Sequence, residues 1–174
     1  MKREQEAGFT LVELLIVVAI IGIIASIGVA QVMRARLVAN ETSAIGSMRT
    51  INSAQMSYSA AAGQGGFATS LSILGTPCLG GATAFVAPEL NPSAPSATPA
   101  GASGLLKSGY VVDMTGNGVA GPSDCNGTVT NGNYTATAVP RTIGASGERG
   151  FNTTGGGTIF FDATGLGTGT TPIQ

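Results

Sequence analysis

The N-terminal third of the chain separates polar from apolar residues sharply. Residues 1–8 are polar and charged, and the twenty residues from Leu14 to Met33 are mostly aliphatic and uncharged. A helix of that length, at about 1.5 Å per residue, spans about 30 Å, the thickness of the hydrocarbon core of a bilayer. The pattern predicts a membrane-spanning helix that begins shortly after the charged segment.

The helix is predicted to continue beyond this span as an amphipathic helix. Apolar residues recur every three or four positions, which is the spacing of one helix face. They are Ala44, Met48, Ile51 and Tyr58. The sequence Gly63-Gln64-Gly65-Gly66 predicts an end near residue 62. We therefore expect one helix from about residue 10 to residue 61, whose second half covers a small sheet.

The rest of the chain has the composition of short strands and turns. Three segments are predicted to form strands, namely 109–114 (GYVVDM), 132–139 (GNYTATAV) and 157–161 (GTIFF). Tyr134, Ala136 and Ala138 alternate and are predicted to face the helix. A helical turn is expected within 67–75, and a strand or a packing segment at 84–87. Segments 63–104 and 115–131 are predicted surface loops. The expected fold is α+β, a long helix packed on an antiparallel sheet.

The amino-acid composition argues against nucleic-acid binding and against enzymatic activity. The 174 residues have a net charge of −1 and contain no histidine. Nothing in this balance indicates a nucleic-acid partner, since a basic face would be expected. Without histidine the commonest general base and metal ligand are missing. No catalytic constellation and no cofactor motif is found, so we predict that the chain is not an enzyme.

Two further features concern disulfide and metal chemistry. Cys78 and Cys125 predict a disulfide worth about 3–4 kcal/mol if the chain is exported, with two buried free thiols as the alternative. Oxygen ligands at EF-hand-like spacing make a calcium loop a hypothesis, with an ordinary Asx/Gly turn as the alternative. Its candidate ligands are Asp113, Thr115, Asn117 and Asp124.

Glu13 decides between interpretations of the N-terminus. The apolar stretch is too long for a cleaved signal peptide, and the chain is too poor in apolar residues to surround a core helix. A signal anchor remains possible, but it leaves the carboxylate at the edge of the span unexplained. Cleavage between Gly8 and Phe9 would create an amine four residues before Glu13. The two charges can neutralise each other, within one chain or between neighbours, and set the register of packed helices.

The segment from Gly8 through Phe9-Thr10-Leu11-Val12-Glu13 and the following aliphatic run resembles the class III signal of type IV pilins and type II secretion pseudopilins. The resemblance implies cleavage after Gly8 and N-methylation of Phe9 by a prepilin peptidase and N-methyltransferase. It implies that Glu13 meets the N-terminal amine of a neighbouring subunit. It further implies partners in a helical homo-oligomer, an inner-membrane assembly platform and its ATPase.

These expectations divide the chain into a leader at 1–8, a helix at 9–62 whose residues 14–33 form the membrane span or filament core, and a sheet-containing head at 63–174. The predicted function is a type IV pilus-like subunit, held in the inner membrane as a precursor and then assembled into an extracellular pilus. A periplasmic pseudopilus of type II secretion is the alternative within the class, and a signal-anchored periplasmic binding protein is the alternative outside it.

Arg34 and Arg36 are expected to contact headgroups, or to pair with Glu41 of a neighbouring copy.

Overall fold

The computed structural model describes residues 8–81, 83–92 and 104–173. Contacts divide the chain into two compact units, residues 1–36 and residues 37–174. The described part of the first unit is almost entirely helical. The second unit contains further helix and a β-sheet.

The long helix, α1, runs from Leu11 to Ala61, which confirms the predicted element and its bounds. Its last carbonyls are capped from the glycine-rich segment that follows. The N–H of Gly63 donates to the Tyr58 carbonyl at 2.8 Å, and the N–H of Gly65 donates to Ser59 at 3.0 Å. Gly65 has a φ of 91°, a left-handed conformation that glycine adopts readily. The glycine run therefore ends the helix for the reason that the sequence indicated.

The described residues between 67 and 92 contain two short helical elements. A helical turn, α2, lies at Leu71–Leu74 as predicted, and a 3-10 helix lies at Pro88–Leu90. The strand alternative for 84–87 is wrong, since this segment packs instead. The ring of Phe85 lies edge-on to Tyr58 with centroids 5.4 Å apart, and Val86 is buried.

The sheet has six antiparallel strands in sequence order. They are β1 (Leu105–Lys107), β2 (Tyr110–Ser123), β3 (Val129–Pro140), β4 (Gly150–Thr154), β5 (Ile159–Asp162) and β6 (Thr171–Pro172). The predicted α+β class is confirmed, and the three predicted segments fall in β2, β3 and β5. The prediction missed β1, β4 and β6. Strands β1 and β6 have only three and two residues, and β4 has a single large apolar residue, Phe151, so none of the three shows a strand pattern in the sequence.

The predicted surface loop at 115–131 is wrong for most of its length. Pairing between β2 and β3 continues to Ser123 and Val129, with irregularities on either side of Ala120. Gly118 has a φ of 88°, which suits a bulge in the strand. Residues 117–120 are exposed, so no apolar alternation marks this strand in the sequence.

The core lies between α1 and one face of the sheet. All four residues of the predicted helix stripe are buried, and so are Tyr134, Ala136 and Ala138 of β3. Gln55, also fully buried, donates from Nε2 to the Ala68 carbonyl and accepts from the Ala68 N–H, each at 2.9 Å. Apolar burial thus holds the sheet to the helix, and the buried Gln55 amide is satisfied on both its donor and its acceptor side.

All three tyrosines of the chain are buried in this core, and the chain has no tryptophan. Their hydroxyl groups donate to the Asp124 carboxylate, the Arg149 carbonyl and the Asn52 side chain, respectively from Tyr58, Tyr110 and Tyr134. Burial raises the pKa of each phenol above 10.0, and that of Tyr134 reaches about 12.

An alkaline titration should therefore show no tyrosinate until the protein unfolds. A raised folded-state pKa contributes stability that is complete below the unfolded pKa of about 10 and is lost as pH rises through the folded values. We expect near-ultraviolet tyrosinate absorbance to appear in one cooperative step together with loss of near-ultraviolet circular dichroism. A tyrosine that titrates near pH 10 in the intact fold would contradict the buried arrangement.

Candidate assembly site

The N-terminal residues that sequence analysis singled out lie immediately before and within the first turn of α1. Residues 1–7 of the predicted leader lie outside the described residues. Gly8, Phe9 and Thr10 precede the helix, and the Phe9 side chain is 87% exposed. Glu13 lies in the first turn. The bond between Gly8 and Phe9 is thus in a non-helical, exposed segment, the kind of segment in which proteolytic cleavage is favoured.

Glu13 and Thr10 form a reciprocal cap at the start of α1. Glu13 Oε2 accepts from the Thr10 N–H at 2.9 Å and from the Thr10 hydroxyl at 2.7 Å. Thr10 Oγ1 in turn accepts from the Glu13 N–H at 3.2 Å. This is a capping box, and its Thr-x-x-Glu spacing is a signal in the sequence from which the cap could have been predicted. Glu13 therefore has a local role in starting the helix, and within the described part of the chain the hydrogen bonds to its side chain involve only Oε2.

The apolar part of α1 has no partner within the described chain. Large aliphatic side chains on every side of the helix are more than half exposed. They include Leu14, Ile16, Val18, Ile20, Ile23, Ile24, Ile27, Val29 and Val32. By length and composition the helix is able to cross a membrane. A helix that is hydrophobic all round requires lipid or other helices as its surroundings.

The two cysteines lie at the far end of α1, close to the start of β3. The structure places Cys78 and Cys125 in a disulfide with a Cα–Cα distance of 5.5 Å. The neighbouring Asp124 carboxylate accepts from the N–H groups of Asn126 and Thr128 and from the Tyr58 hydroxyl at 2.7 Å. The disulfide and Asp124 together fix the β2–β3 turn against the end of the helix.

This arrangement corrects the calcium hypothesis. Asp113, Thr115 and Asn117 lie in β2, whereas Asp124 lies in the turn after it. An extended strand rises about 3.3 Å per residue, so Asp113 and Asp124 are separated by roughly 30 Å. The four oxygens cannot share one cation, since the segment forms a strand instead of a loop. Among the described residues, no group of three or more acidic or cysteine side chains is placed to hold a metal.

Glu41 lies in a polar contact that joins α1 to the segment between β3 and β4. Its Oε2 accepts from Arg149 Nε at 2.9 Å and Nη2 at 2.6 Å, and its Oε1 accepts from the N–H groups of Glu148 and Arg149. Burial by itself raises the pKa of Glu41, but Arg149 and the two N–H groups outweigh it and hold the pKa below 4.5. Glu41 is thus occupied within its own chain, which argues against the hypothesis that it pairs with Arg34 or Arg36 of a neighbour.

Arg149→Met should lower the free energy of unfolding by about 2 kcal/mol at neutral pH, because it leaves the buried Glu41 carboxylate without its counter-ion. The magnitude is below that of a fully buried pair, since the Arg149 side chain is 45% exposed. The depressed pKa of Glu41 makes the contribution full above pH 4.5 and lost at lower pH, so wild type and variant should converge in acid. Arg141→Met, at an exposed residue, is the control for chemical denaturation. Equal stability of the two variants would contradict the contact.

Comparison with known proteins identifies the N-terminal segment. Residues 3–29 match the prokaryotic N-terminal methylation motif. Searches of curated proteins and of solved structures found no match to the chain. The motif indicates a structural subunit made as a membrane-anchored precursor that a prepilin peptidase processes. The chain therefore carries the class III signal of type IV pilins and pseudopilins on a pilin-like α+β architecture.

Proposed function

We propose that this chain is the subunit of a type IV pilus-like filament. The observation that carries the proposal is the methylation motif on a helix whose apolar half has no partner in the described chain. In the membrane, lipid surrounds this half. In a filament, the same residues of neighbouring copies surround one another. One apolar surface thus serves both states, because neither surrounding leaves it in contact with water.

In this proposal residues 1–8 are removed, residues 9–62 form the assembly helix and residues 63–174 form the head. The cut follows Gly8, and the new N-terminus at Phe9 is methylated. The Phe9 amine of one copy then meets Glu13 of its neighbour. The cap at Thr10 supports this role, since it uses Oε2 of Glu13 and leaves Oε1 for a second donor.

The disulfide and the Ser/Pro-rich segment at 91–104 support an exposed pilus over a periplasmic pseudopilus. A disulfide persists in oxidising surroundings, where it stabilises a head with a small core. Most of the Ser/Pro-rich segment, 93–103, lies outside the described residues, and its support for an exposed pilus comes from its composition.

The test is the intact mass and N-terminus of the protein sheared from native cells. We expect a chain that starts at N-methylated Phe9 and is recovered in sedimentable fibres. The same processed chain, found only in the periplasm and fibrous only on overproduction, would support the pseudopilus. A chain that still starts at Met1, and is found only in membranes, would overturn the proposal in favour of the signal-anchored protein.

A further inference from the structure

Most acidic side chains of the described chain already have partners. Glu41, Asp124 and Asp162 each accept several hydrogen bonds from their own chain, and Glu89 lies 3.6 Å from a lysine. Glu148 differs from them. It is exposed, and its carboxylate has no hydrogen-bond or ion-pair partner in the part of the chain that the structure describes. A negative charge is thus available at this point of the head surface.

Two positive charges are available on α1. Arg34 and Arg36 are exposed and make no ion pair with any described residue. Arg36 precedes Glu41 by five residues in the sequence of α1. Glu148 lies at the level of Glu41, because its N–H donates to Glu41 Oε1 at 3.1 Å.

The offset between these charges matches the offset that the proposed assembly requires. The following step rests on the proposed function. If the Phe9 amine of one copy meets Glu13 of a parallel neighbour, the two copies are displaced by four residues, about 6 Å. The same displacement, in the same direction, brings Arg36 of the first copy level with residue 40 of its neighbour. That level is one residue from Glu41, and hence from Glu148.

We propose that Arg36, assisted by Arg34, binds Glu148 of the neighbouring copy in the filament. Without this contact, the arginines and Glu148 would be unpaired charges beside the packed apolar helices. A single exposed ion pair stabilises weakly, but this one repeats at every subunit and opposes registers that leave like charges together. It forms a second contact that sets the register of the helices. The first contact, at Glu13, lies before the apolar segment, and this one lies after it.

Charge reversal with rescue tests the proposal in the full chain expressed in fibre-forming cells. Glu148→Arg alone, and Arg34→Glu with Arg36→Glu, should each lower the yield of sheared fibres about fivefold or more. The combined variant should recover most of the yield, because it restores opposite charges with the polarity exchanged. Glu148→Gln should give a smaller loss, and fibres of the wild type should dissociate more readily at high salt.

Each variant is compared with Arg49→Glu, a reversal at another exposed residue of α1. Intact disulfide and a processed N-terminus confirm that each variant folds and is exported. Normal fibre yield from both single-side reversals overturns the proposal and leaves the proposed function intact. Failure of the combined variant to recover also overturns it, since the arginines would then act on lipid headgroups. A wild-type chain that yields no fibres overturns both proposals.

Discussion

Replacing Glu13 by Ala should abolish fibre formation, with the yield of sheared fibres falling by about a hundredfold or more. Loss of one partner from a desolvated ion pair costs about 3–5 kcal/mol, and the methylated amine would be that unpaired partner. The chain should remain in the membrane and still be cleaved after Gly8. A signal-anchored monomer would show no such dependence, because it needs no contact between helices. Quantification of sheared fibres against membrane-bound protein measures the effect.

Two matched variants separate the charge of Glu13 from its role in the cap. Glu13→Gln keeps an acceptor for Thr10, since glutamine serves at this position of a capping box, but it removes the charge. We expect it to fail like Glu13→Ala. Thr10→Val removes the capping hydroxyl and keeps the charge, and should cost only about 1 kcal/mol of helix stability. Normal fibres from Glu13→Gln would show that the carboxylate acts through the cap alone.

Removal of the disulfide should destabilise the head by about 4 kcal/mol. The cross-link closes a loop with a sequence separation of 47 residues, and the entropy of the unfolded chain rises by a corresponding amount when it is cut. For a chain of this size we expect the melting temperature of Cys78→Ser with Cys125→Ser to fall by roughly 10–15 °C. Thermal unfolding of the purified full chain in detergent, followed by tyrosine signals, gives the measurement.

Reduction of the wild type should reproduce the shift, which guards against an effect of the serines themselves. Tyr58→Phe is the matched local control, because it removes the hydrogen bond to Asp124 beside Cys125 and leaves the cross-link. It should cost about 1 kcal/mol. If the double serine variant were no less stable than Tyr58→Phe, the unfolded chain would already be restricted near this turn without the cross-link.

The helix and the signal were predictable because both are encoded locally. An uncharged aliphatic run, a stripe at helical spacing and a glycine run each act through neighbours in sequence. The predicted bounds of α1 therefore agree closely with the observed ones. The cap at Thr10 and Glu13 belongs to the same class and has a recognisable spacing. The motif at residues 3–29 is likewise a continuous segment.

The prediction of the sheet was clearest where apolar residues that face the helix alternate with polar ones. In β3, Tyr134, Ala136 and Ala138 alternate with polar residues and are buried. The outer half of β2 has the composition of a turn, yet it pairs because β3 lies beside it. Residues 115–123 therefore form a strand for a reason that no local pattern contains, and the calcium hypothesis failed with the loop on which it depended.

The sequence by itself determined the processing signal, the apolar helix and the packing of its second half on a sheet, because period and composition specify these through local geometry and burial. Only the tertiary structure decided which side chains meet. Glu41 and Arg149 lie 108 residues apart, and Tyr58 and Asp124 lie 66 apart. Such contacts depend on how the strands return to the helix, and that path is set by the cooperative packing of the whole sheet. This pairing occupies Glu41, whereas the neighbouring Glu148 stays exposed.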